Sequence, residues 1–466
     1  MNIADLLGEI IGAAHVLTTT SDMDPYLVDE RELYHGEAAC IAFPANTEEV
    51  ALVVRTCVEA GYAIVPQGGN TGYCSGASPD SEKQVLLNLS RMNTIREIDP
   101  VGCTATVDAG VVLATLHEAV EERNLFFPLS MGSQGSCQVG GILSTNAGGL
   151  AVLKYGTAAE QVLGLEVVLP NGDILNCLTP LRKDNTGYNL NALFLGAEGS
   201  LGIITAAVLR LFPRPTEHQT AWLAAPNIEA VCQLLVLARA ESADTVTSFE
   251  YISLSALNFA ANHIEGLQIP FDENYEHQVL IELSGPLPTG ALRERLESLL
   301  TSALEERWLL DAVLADSQQQ RQQLWRIREG IPEAEKHAGR SIKHDISVAI
   351  GHIPEFLRQA PTLLESVTSH RPSVYGHMGD GNLHYNVLAP ADVDPIQFRA
   401  QHAKAISEAL HGLAMHMKGS FSAEHGIGKL KKQDLARYTD STALQLMRTL
   451  KQALDPKNVM NPGKVL

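Results

Sequence analysis

Tyr62-Ala-Ile-Val-Pro-Gln-Gly-Gly-Asn-Thr-Gly72 is a short apolar strand that runs directly into a glycine-rich turn. Glycine frees the backbone for positive φ angles, and successive backbone N–H groups in such a turn form an anion-binding nest. No Gly-x-Gly-x-x-Gly opens a helix here, and no Gly-x-x-x-x-Gly-Lys-Ser/Thr is present. The turn therefore predicts a phosphate site, while the sequence weighs against a Rossmann nicotinamide site and a P-loop.

Two more glycine-rich stretches follow in the same α/β segment. Residues 128–150 form the first, which alone could be a mobile loop, but 139–147 keeps small apolar residues among its glycines. This pattern indicates buried backbone that approaches a flat ligand closely. The second, Phe194 to Thr205, enters a strand. Together the three stretches predict a large, elongated cofactor with a pyrophosphate.

The best domain boundary is Phe212-Pro-Arg-Pro-Thr216, where two prolines follow a strand. Strand-like runs then alternate with amphipathic helices: strands at 220–224, 245–251 and 277–283, helices at 228–240 and 291–305. This alternation predicts an antiparallel sheet with helices on one side. A polar helix over 318–338 is expected to be interrupted at Pro332.

A candidate metal site begins in Tyr375-Gly-His-Met-Gly-Asp-Gly-Asn-Leu-His-Tyr-Asn386. Asp380-Gly381 predicts a type I′ hairpin turn, which places His377 opposite His384 with Cβ atoms about 4.5–5.5 Å apart. That separation suits two imidazoles on one metal ion, and Asn386 points to the same face as His384. The alternative is a glycine-rich surface hairpin with two incidental histidines.

A second stretch, Ser422-Ala-Glu-His-Gly-Ile-Gly428, places an acid beside a histidine. Two histidines and one carboxylate with an open position are typical of a catalytic zinc site. We hypothesise that Glu424 is the third ligand and that His425 is a base. Adjacent side chains reach one site only on an irregular backbone, which the two glycines permit. The alternative is that Glu424 and His425 begin a helix, whose dipole favours an acid.

Composition narrows the class of protein. The 466 residues allow two or three domains, and the net charge of −20 argues against nucleic acid or an anionic membrane as main partner. No apolar run is long enough for a transmembrane helix. The pattern of the first residues predicts neither a signal peptide nor an Arg-rich presequence, and the 7 scattered cysteines indicate reduced core residues, so we expect a cytoplasmic protein.

These residues resemble the D-2-hydroxyacid dehydrogenases of the vanillyl-alcohol-oxidase flavoprotein superfamily, specifically the D-2-hydroxyglutarate and D-lactate dehydrogenase group. The resemblance covers nearly the whole chain, through 66–72, 140–149, 196–204, 376–384, 423–428 and Asn461-Pro-Gly463. It implies an α+β fold with a two-part, PCMH-type FAD-binding domain and an α+β substrate domain. The expected divisions are an N-terminal helix and irregular segment (1–36), the FAD-binding domain (37–215), the substrate domain (216–420) and a C-terminal segment that returns to the FAD site (421–466).

The resemblance also assigns roles to residues. FAD would bind at Pro66, Gln67, Gly68, Gly69, Asn70, Thr71, Gly72, Ser133, Gly140, Gly141, Asn146, Gly148, Gly149, Glu198, Gly202, Ile203, Ile204 and Asn461. Some relatives tether FAD through a histidine where this chain has Asn70, so non-covalent FAD is expected. His377, His384 and Glu424 resemble zinc ligands, and His425 resembles the base.

Substrate contacts are expected from Arg328, Lys343, Asn386 and His425. For Arg328 and Lys343 the alternative is an ordinary ion pair. Pro332 departs from relatives selective for D-2-hydroxyglutarate, which tend to have a hydroxyl side chain there, so D-malate and D-lactate are further candidates.

The implied function is oxidation of a D-2-hydroxyacid to the 2-oxoacid with hydride transfer to FAD. Electrons would pass to an electron-transfer flavoprotein or a quinone, and a homodimer is expected. A D-lactate or glycolate-type oxidase is one alternative. A non-catalytic flavin-binding subunit of an oxidase complex is another, but it predicts loss of one member of the His/His/Glu/His set, and all four are present.

Overall fold

A computed structural model describes residues 2–466 as a mixture of helices and strands. The helices are α1 (Ile3–Ile11), α2 (Thr20–Leu27), α3 (Thr47–Ala60), α4 (Leu113–Glu121), α5 (Val139–Ser144), α6 (Val152–Tyr155), α7 (Ile228–Glu241), α8 (Leu254–His263), α9 (Ala291–Glu305), α10 (Gln318–His337), α11 (Ile353–Glu365), α12 (Pro395–His416), α13 (Lys432–Tyr438) and α14 (Ser441–Leu454). The strands are β1 (Val16–Leu17), β2 (Cys40–Ala42), β3 (Ala63–Gln67), β4 (Gln84–Asn88), β5 (Ile95–Asp99), β6 (Thr104–Asp108), β7 (Leu125–Phe126), β8 (Val162–Val168), β9 (Ile174–Asn176), β10 (Ile203–Arg210), β11 (Phe212–Pro213), β12 (Glu217–Ala225), β13 (Val246–Ser253), β14 (His277–Gly285), β15 (Asp311–Leu314), β16 (Asp345–Ser347), β17 (Arg371–Gly376) and β18 (Asn382–Leu388).

The chain folds into two compact units, and each unit is built from separated parts of the sequence. Unit 1 comprises the chain up to Gly149, Gly156–Pro213 and Glu424–Leu466. Unit 2 comprises Leu150–Tyr155 and Arg214–Ala423. The chain thus enters unit 2 twice and returns to unit 1 for its last residues.

Unit 1 contains a four-stranded sheet in the order β1-β2-β4-β3 and a five-stranded antiparallel sheet in the order β5-β6-β10-β8-β9. In the first sheet β4 runs parallel to both of its neighbours, β2 and β3. Helices α1 and α3 pack on this sheet through buried aliphatic side chains. Helix α3 follows the capping pattern of its sequence, since Asn46 accepts the Glu49 N–H at 2.8 Å and Gly61 ends the helix with φ +75°.

The strand that leads into the glycine-rich turn lies at a sheet edge. Pro66 in β3 has no N–H to donate, which an edge strand tolerates. The C-terminal segment covers part of this edge, because Ile64 N–H donates to Val459 O and Asn461 N–H donates to Ile64 O, both at 2.7 Å. The edge strand therefore holds the last residues of the chain beside the turn that follows it.

Unit 2 is organised around a seven-stranded antiparallel sheet in the order β15-β12-β14-β13-β17-β18-β16. Alternate residues of β12 face opposite layers: Leu223 belongs to the core cluster that includes residues of α7, α9, α11 and α12, whereas Trp222 belongs to the cluster that includes residues of α8 and α10. The prediction of helices on one side of this sheet was therefore wrong. The strands are buried on both faces, and such strands show weak polar alternation.

Two local predictions also differ from the structure. The segment expected to be irregular contains α2, whose only buried residues are Met23 and Leu27, so its sequence lacks a full apolar stripe. Helix α10 continues through Pro332, where an interruption was predicted. Ile331 and Ala334 on either side are buried, so packing maintains the helix despite the missing N–H.

Candidate active site

The histidine hairpin exists in unit 2, but its register differs from the predicted one. Tyr375, not His377, opposes His384 in the β17–β18 pair. His377 lies in the connecting loop, where its carbonyl accepts the N–H groups of Asp380 at 3.1 Å and Asn382 at 3.2 Å. Gly381 has φ +90° but Asp380 is not left-handed, so the predicted type I′ turn is wrong. The loop still brings the imidazole rings of His377 and His384 to 5.5 Å between centroids.

The orientation of His377 is set by a buried carboxylate that the sequence analysis missed. Glu250, on β13, places Oε1 2.8 Å from His377 Nδ1 and is itself buried. An ionised carboxylate only accepts hydrogen bonds, so Nδ1 carries a proton, and in the neutral imidazole the lone pair is then on Nε2. Burial raises the pKa of Glu250, but His377 and Arg328 lower it more, so it lies below its ordinary value. Histidines that bind metals are commonly held in this way, so His377 fits a metal-ligand role.

Arg328 is also bound to Glu250. Its Nε and a terminal nitrogen lie 2.9 and 2.8 Å from Glu250 Oε2, and its guanidinium stands 4.7 Å from the centroid of the Tyr375 ring. Arg328 is thus a buried, ion-paired residue beside the histidine hairpin. The ring of Tyr375 lies 5.1 Å from that of His384, so this side chain connects Arg328 with the second histidine.

A second buried carboxylate holds the other two predicted substrate residues of unit 2. Asn386 Nδ2 donates to both carboxylate oxygens of Glu335 at 3.0 Å, and Lys343 Nζ lies 3.5 Å from Glu335 Oε2. The N–H of His344 completes the arrangement by donating to Asn386 Oδ1 at 3.1 Å. The carboxylate of Glu335 is fully buried, whereas the side chain of Lys343 is 25% exposed.

In unit 1, the segment that carries Glu424 and His425 is irregular, so the alternative of a helix start there was wrong. Gly426 and Gly428 both have positive φ angles, +71° and +49°. The two carboxylate oxygens of Glu198 accept the N–H groups of Ile427 at 2.7 Å and Gly428 at 2.8 Å. Burial is the main cause that raises the pKa of Glu198.

Glu424 and His425 each have a defined neighbour within unit 1. The carboxylate of Glu424 lies against Gly148, where an added Cβ would stand 2.6 Å from Oε1. The imidazole of His425 meets the Tyr73 ring edge to face, at 4.8 Å between centroids. These contacts fix both side chains on the glycine-rich side of unit 1.

All residues predicted to bind FAD lie in unit 1: Pro66, Gln67, Gly68, Gly69, Asn70, Thr71, Gly72, Ser133, Gly140, Gly141, Asn146, Gly148, Gly149, Glu198, Gly202, Ile203, Ile204 and Asn461. Their glycines fall into two groups. Gly69 and Gly140 are required by packing, because an added Cβ would stand 2.0 Å from Ser136 O and 2.7 Å from Ala109 Cβ. At Gly72 and Gly141, apart from the adjoining residues and the backbone of the helix around Gly141, no atom of residues 2–466 lies within 4 Å of an added Cβ, and neither has a positive φ. Protein contacts therefore do not explain these two glycines, whereas a cofactor against the backbone would.

Two amide oxygens point to the same conclusion. Gln138 Oε1 and Asn461 Oδ1 are buried, and neither has a hydrogen-bond partner among residues 2–466. Gln138 lies beside Gly68, where an added Cβ would be 3.4 Å from Oε1, and Asn461 Nδ2 donates to Gly76 O at 2.9 Å. Buried acceptors usually have a partner, so hydroxyl or amino groups of a bound cofactor would complete this part of unit 1.

Glu250 and Glu335 are the residues that the sequence analysis missed. The available signal for Glu250 was an acidic residue inside the apolar strand run 245–251. Glu335 gave no comparable signal, because it lies among polar and charged residues of α10.

Comparisons with known proteins agree with this architecture. The family described as FAD linked oxidases, C-terminal domain, matches residues 214–465, and the FAD binding domain family matches residues 38–178. D-2-hydroxyglutarate dehydrogenase, mitochondrial, of Bos taurus is 38% identical over 458 residues, which cover 98% of this chain and 82% of that protein. D-2-hydroxyglutarate dehydrogenase of Xanthomonas citri pv. viticola is 35% identical over 463 residues, covering 98% and 96%. The solved structure of p-cresol methylhydroxylase with substrate bound has a TM-score of 0.76 at 18% identity, covering 99% of this chain and 96% of that one.

The chain belongs to the FAD linked oxidases, in the group of FAD-dependent D-2-hydroxyacid dehydrogenases. It is an FAD-dependent oxidoreductase that acts on a CH–OH donor. The predicted α+β fold class, with a PCMH-type FAD-binding domain and a substrate domain, is confirmed. Among residues 2–466, no helix combines the length and apolar character that a membrane crossing requires.

Proposed function

We propose that the protein oxidises D-2-hydroxyglutarate to the 2-oxoacid, with D-malate and D-lactate as the next candidate substrates. The names of the two relatives above support the five-carbon acid. Pro332 is the residue that keeps the shorter acids in consideration, because it offers no hydroxyl for a distal carboxylate. FAD held by the glycine-rich loops would supply the hydride acceptor for the substrate carbon.

Zinc is the metal that we propose for His377, His384 and Glu424. The observation that carries this proposal is the pair of imidazoles 5.5 Å apart, one of which is held through Nδ1 by a buried carboxylate. In unit 2, Asp345 opposes His384 in the β16–β18 pair, and its carbonyl accepts the N–H group of Ala423 at 3.1 Å. Glu424 directly follows Ala423 in the sequence. Zinc held by these residues would supply a Lewis acid that lowers the pKa of the substrate alcohol.

Charge in the substrate half of the site also supports a bound cation. Arg328 and Lys343, the two predicted partners of substrate carboxylates, lie 2.8 and 3.5 Å from the buried carboxylates of Glu250 and Glu335. Each protein cation is therefore balanced by a protein anion. A dianionic substrate gains little net attraction from such pairs, so a divalent ion would supply the missing positive charge.

Substrate binding, substrate positioning and proton transfer are assigned to side chains of the protein. Arg328 offers planar donors for one substrate carboxylate, and Lys343 adds a point charge. Asn386, fixed by Glu335, positions the substrate beside the histidines. His425 accepts the hydroxyl proton, since an imidazole is a suitable general base near neutral pH.

We also propose an electron acceptor, a cellular location and an oligomeric state. The electron acceptor would be an electron-transfer flavoprotein or a quinone, and the protein would act in the cytoplasm as a homodimer. Its net charge of −20 supports neither nucleic acid nor an anionic membrane as a partner.

The proposal is tested by mixing purified protein anaerobically with a panel of D-hydroxyacids and following the flavin absorbance by stopped flow. We expect D-2-hydroxyglutarate to bleach the flavin with the highest kcat/KM, and His384→Ala to abolish bleaching while FAD stays bound. Full activity in His384→Ala, or no zinc by elemental analysis of active protein, would contradict the metal role. Rapid reoxidation by oxygen would favour an oxidase, and no bleaching by any acid would favour a non-catalytic subunit.

A further inference from the structure

Glu250 joins two residues with different proposed tasks. One carboxylate oxygen is 2.8 Å from Nδ1 of His377, and the other accepts two hydrogen bonds from Arg328, at 2.9 and 2.8 Å. Its side chain is only 1% exposed, so water does not compete for either oxygen. All three residues belong to unit 2 and are brought together from distant parts of the sequence.

We propose that Glu250 is a positioning residue that presents His377 to zinc and holds Arg328 for the substrate carboxylate. This inference rests on the proposed function. The carboxylate achieves both results because it offers an acceptor on each side. His377 must then keep its proton on Nδ1, and Arg328 must keep its guanidinium turned toward β13.

Replacing Glu250 with glutamine keeps the shape but removes one acceptor. Arg328 carries only donors, so the glutamine oxygen must face it, and the NH2 group then faces His377. An NH2 group requires an acceptor, which forces the proton of His377 from Nδ1 to Nε2. The nitrogen that would bind zinc is then blocked, although the fold around it is unchanged.

Glu282 provides a matched control on the neighbouring strand β14. It is also buried, it accepts from Arg321 at 2.8 and 2.9 Å, and His218 Nδ1 lies 3.5 Å from it. Arg321 and Arg328 both come from α10. Glu282→Gln therefore disturbs the same kind of buried pair beside a histidine that is not a proposed ligand.

The experiment measures zinc affinity directly, without turnover. Metal-depleted holoprotein is titrated with Zn²⁺ against a chromophoric chelator, while the flavin spectrum reports that FAD remains bound. We expect Glu250→Gln to weaken zinc binding by about 10- to 100-fold. Glu282→Gln should stay within about threefold of the wild type, since its carboxylate contacts no proposed ligand.

A double substitution tests whether Arg328 and His377 compete for the single oxygen of a glutamine at position 250. It also keeps the inference falsifiable if Glu250→Gln alone does not fold. With Arg328→Gln present, the oxygen of Gln at position 250 can turn to His377, so adding Glu250→Gln should change zinc affinity by less than about threefold. Equal affinity of wild type and Glu250→Gln, or a large loss only in the double variant, would overturn the inference. Failure of the wild type to bind zinc would instead overturn the proposed metal role.

Discussion

Gly148 gives the most direct test of whether Glu424 binds the metal. An added Cβ at Gly148 would stand 2.6 Å from Glu424 Oε1 and 3.3 Å from its Cδ and Cγ. A comfortable carbon–oxygen contact is about 3.3 Å, so Gly148→Ala must displace this oxygen by about 0.7 Å. Zinc–ligand distances tolerate only about 0.2 Å, so the displaced carboxylate cannot keep its place in the coordination sphere.

The expected result separates metal affinity from stability. The clashing atom is the end of a flexible side chain and the φ angle of Gly148 is not positive, so stability should change by less than about 1 kcal/mol. Zinc affinity, measured by chelator competition, should fall by about 10- to 100-fold, and the flavin spectrum reports separately whether the change at Gly148 disturbs FAD. Gly132→Ala is the control, because Gly132 is exposed and no atom of the described residues lies within 4 Å of an added Cβ. Unchanged zinc affinity in Gly148→Ala would refute the assignment of Glu424 as a ligand.

Two further predictions concern buried carboxylates. Glu198→Gln leaves one of the two N–H groups of Ile427 and Gly428 without an acceptor, at a cost of about 1–3 kcal/mol, so we expect a lower melting temperature and a lower kcat with KM nearly unchanged in steady-state assays. Burial raises the pKa of Glu282, but hydrogen bonds from His218, Arg321 and Trp325 lower it by more. The net result is a pKa that falls from 4.5 to about 2. This lowered pKa stabilises the fold by about 3 kcal/mol above pH 4.5, and the stabilisation is lost as the pH falls toward 2. Glu282→Gln should therefore reduce the loss of stability between pH 6 and pH 3 in thermal melts, and an unchanged acid dependence would contradict this reasoning.

The sequence predicted the elements of unit 2 well where apolar residues recur at one period. The helix predicted at 228–240 corresponds to α7 (Ile228–Glu241), and the run at 277–283 lies within β14 (His277–Gly285). The face covered by each helix could not be predicted in the same way. Strands such as β13 and β14 are buried along nearly their whole length, so alternation in the sequence does not distinguish their two faces.

In the candidate site, too, contacts between residues close in sequence could be predicted, whereas contacts between distant residues could not. The pairing of His377 and His384 follows from a short hairpin, although the register was wrong because the loop takes His377 out of the ladder. The partner of His377 could not be read from the sequence, because Glu250 lies 127 positions away and Arg328 lies 78 positions from Glu250. Periodicity identifies the face of a strand on which a residue lies, but not which distant side chain meets it there.

Glu198 links the predicted FAD-binding loops of unit 1 to the turn beside His425, the proposed base. Four non-glycine residues predicted to contact FAD have positive φ angles, and three of them are asparagines, which tolerate this conformation: Asn70, Asn146 and Asn461. Glu198 is the exception, with φ +51°, a conformation that costs about 1–3 kcal/mol for such a residue.

The side chain of Glu198 offsets this cost, because both of its oxygens accept N–H groups from the turn after His425. Its carbonyl accepts a third hydrogen bond, from Asn461 Nδ2 at 2.8 Å. One strained residue thus connects the glycine-rich entry to β10 with the turn that follows His425. A change that relaxes the backbone of Glu198 must also move that turn, so the position of the proposed base cannot be tuned independently of the cofactor loops.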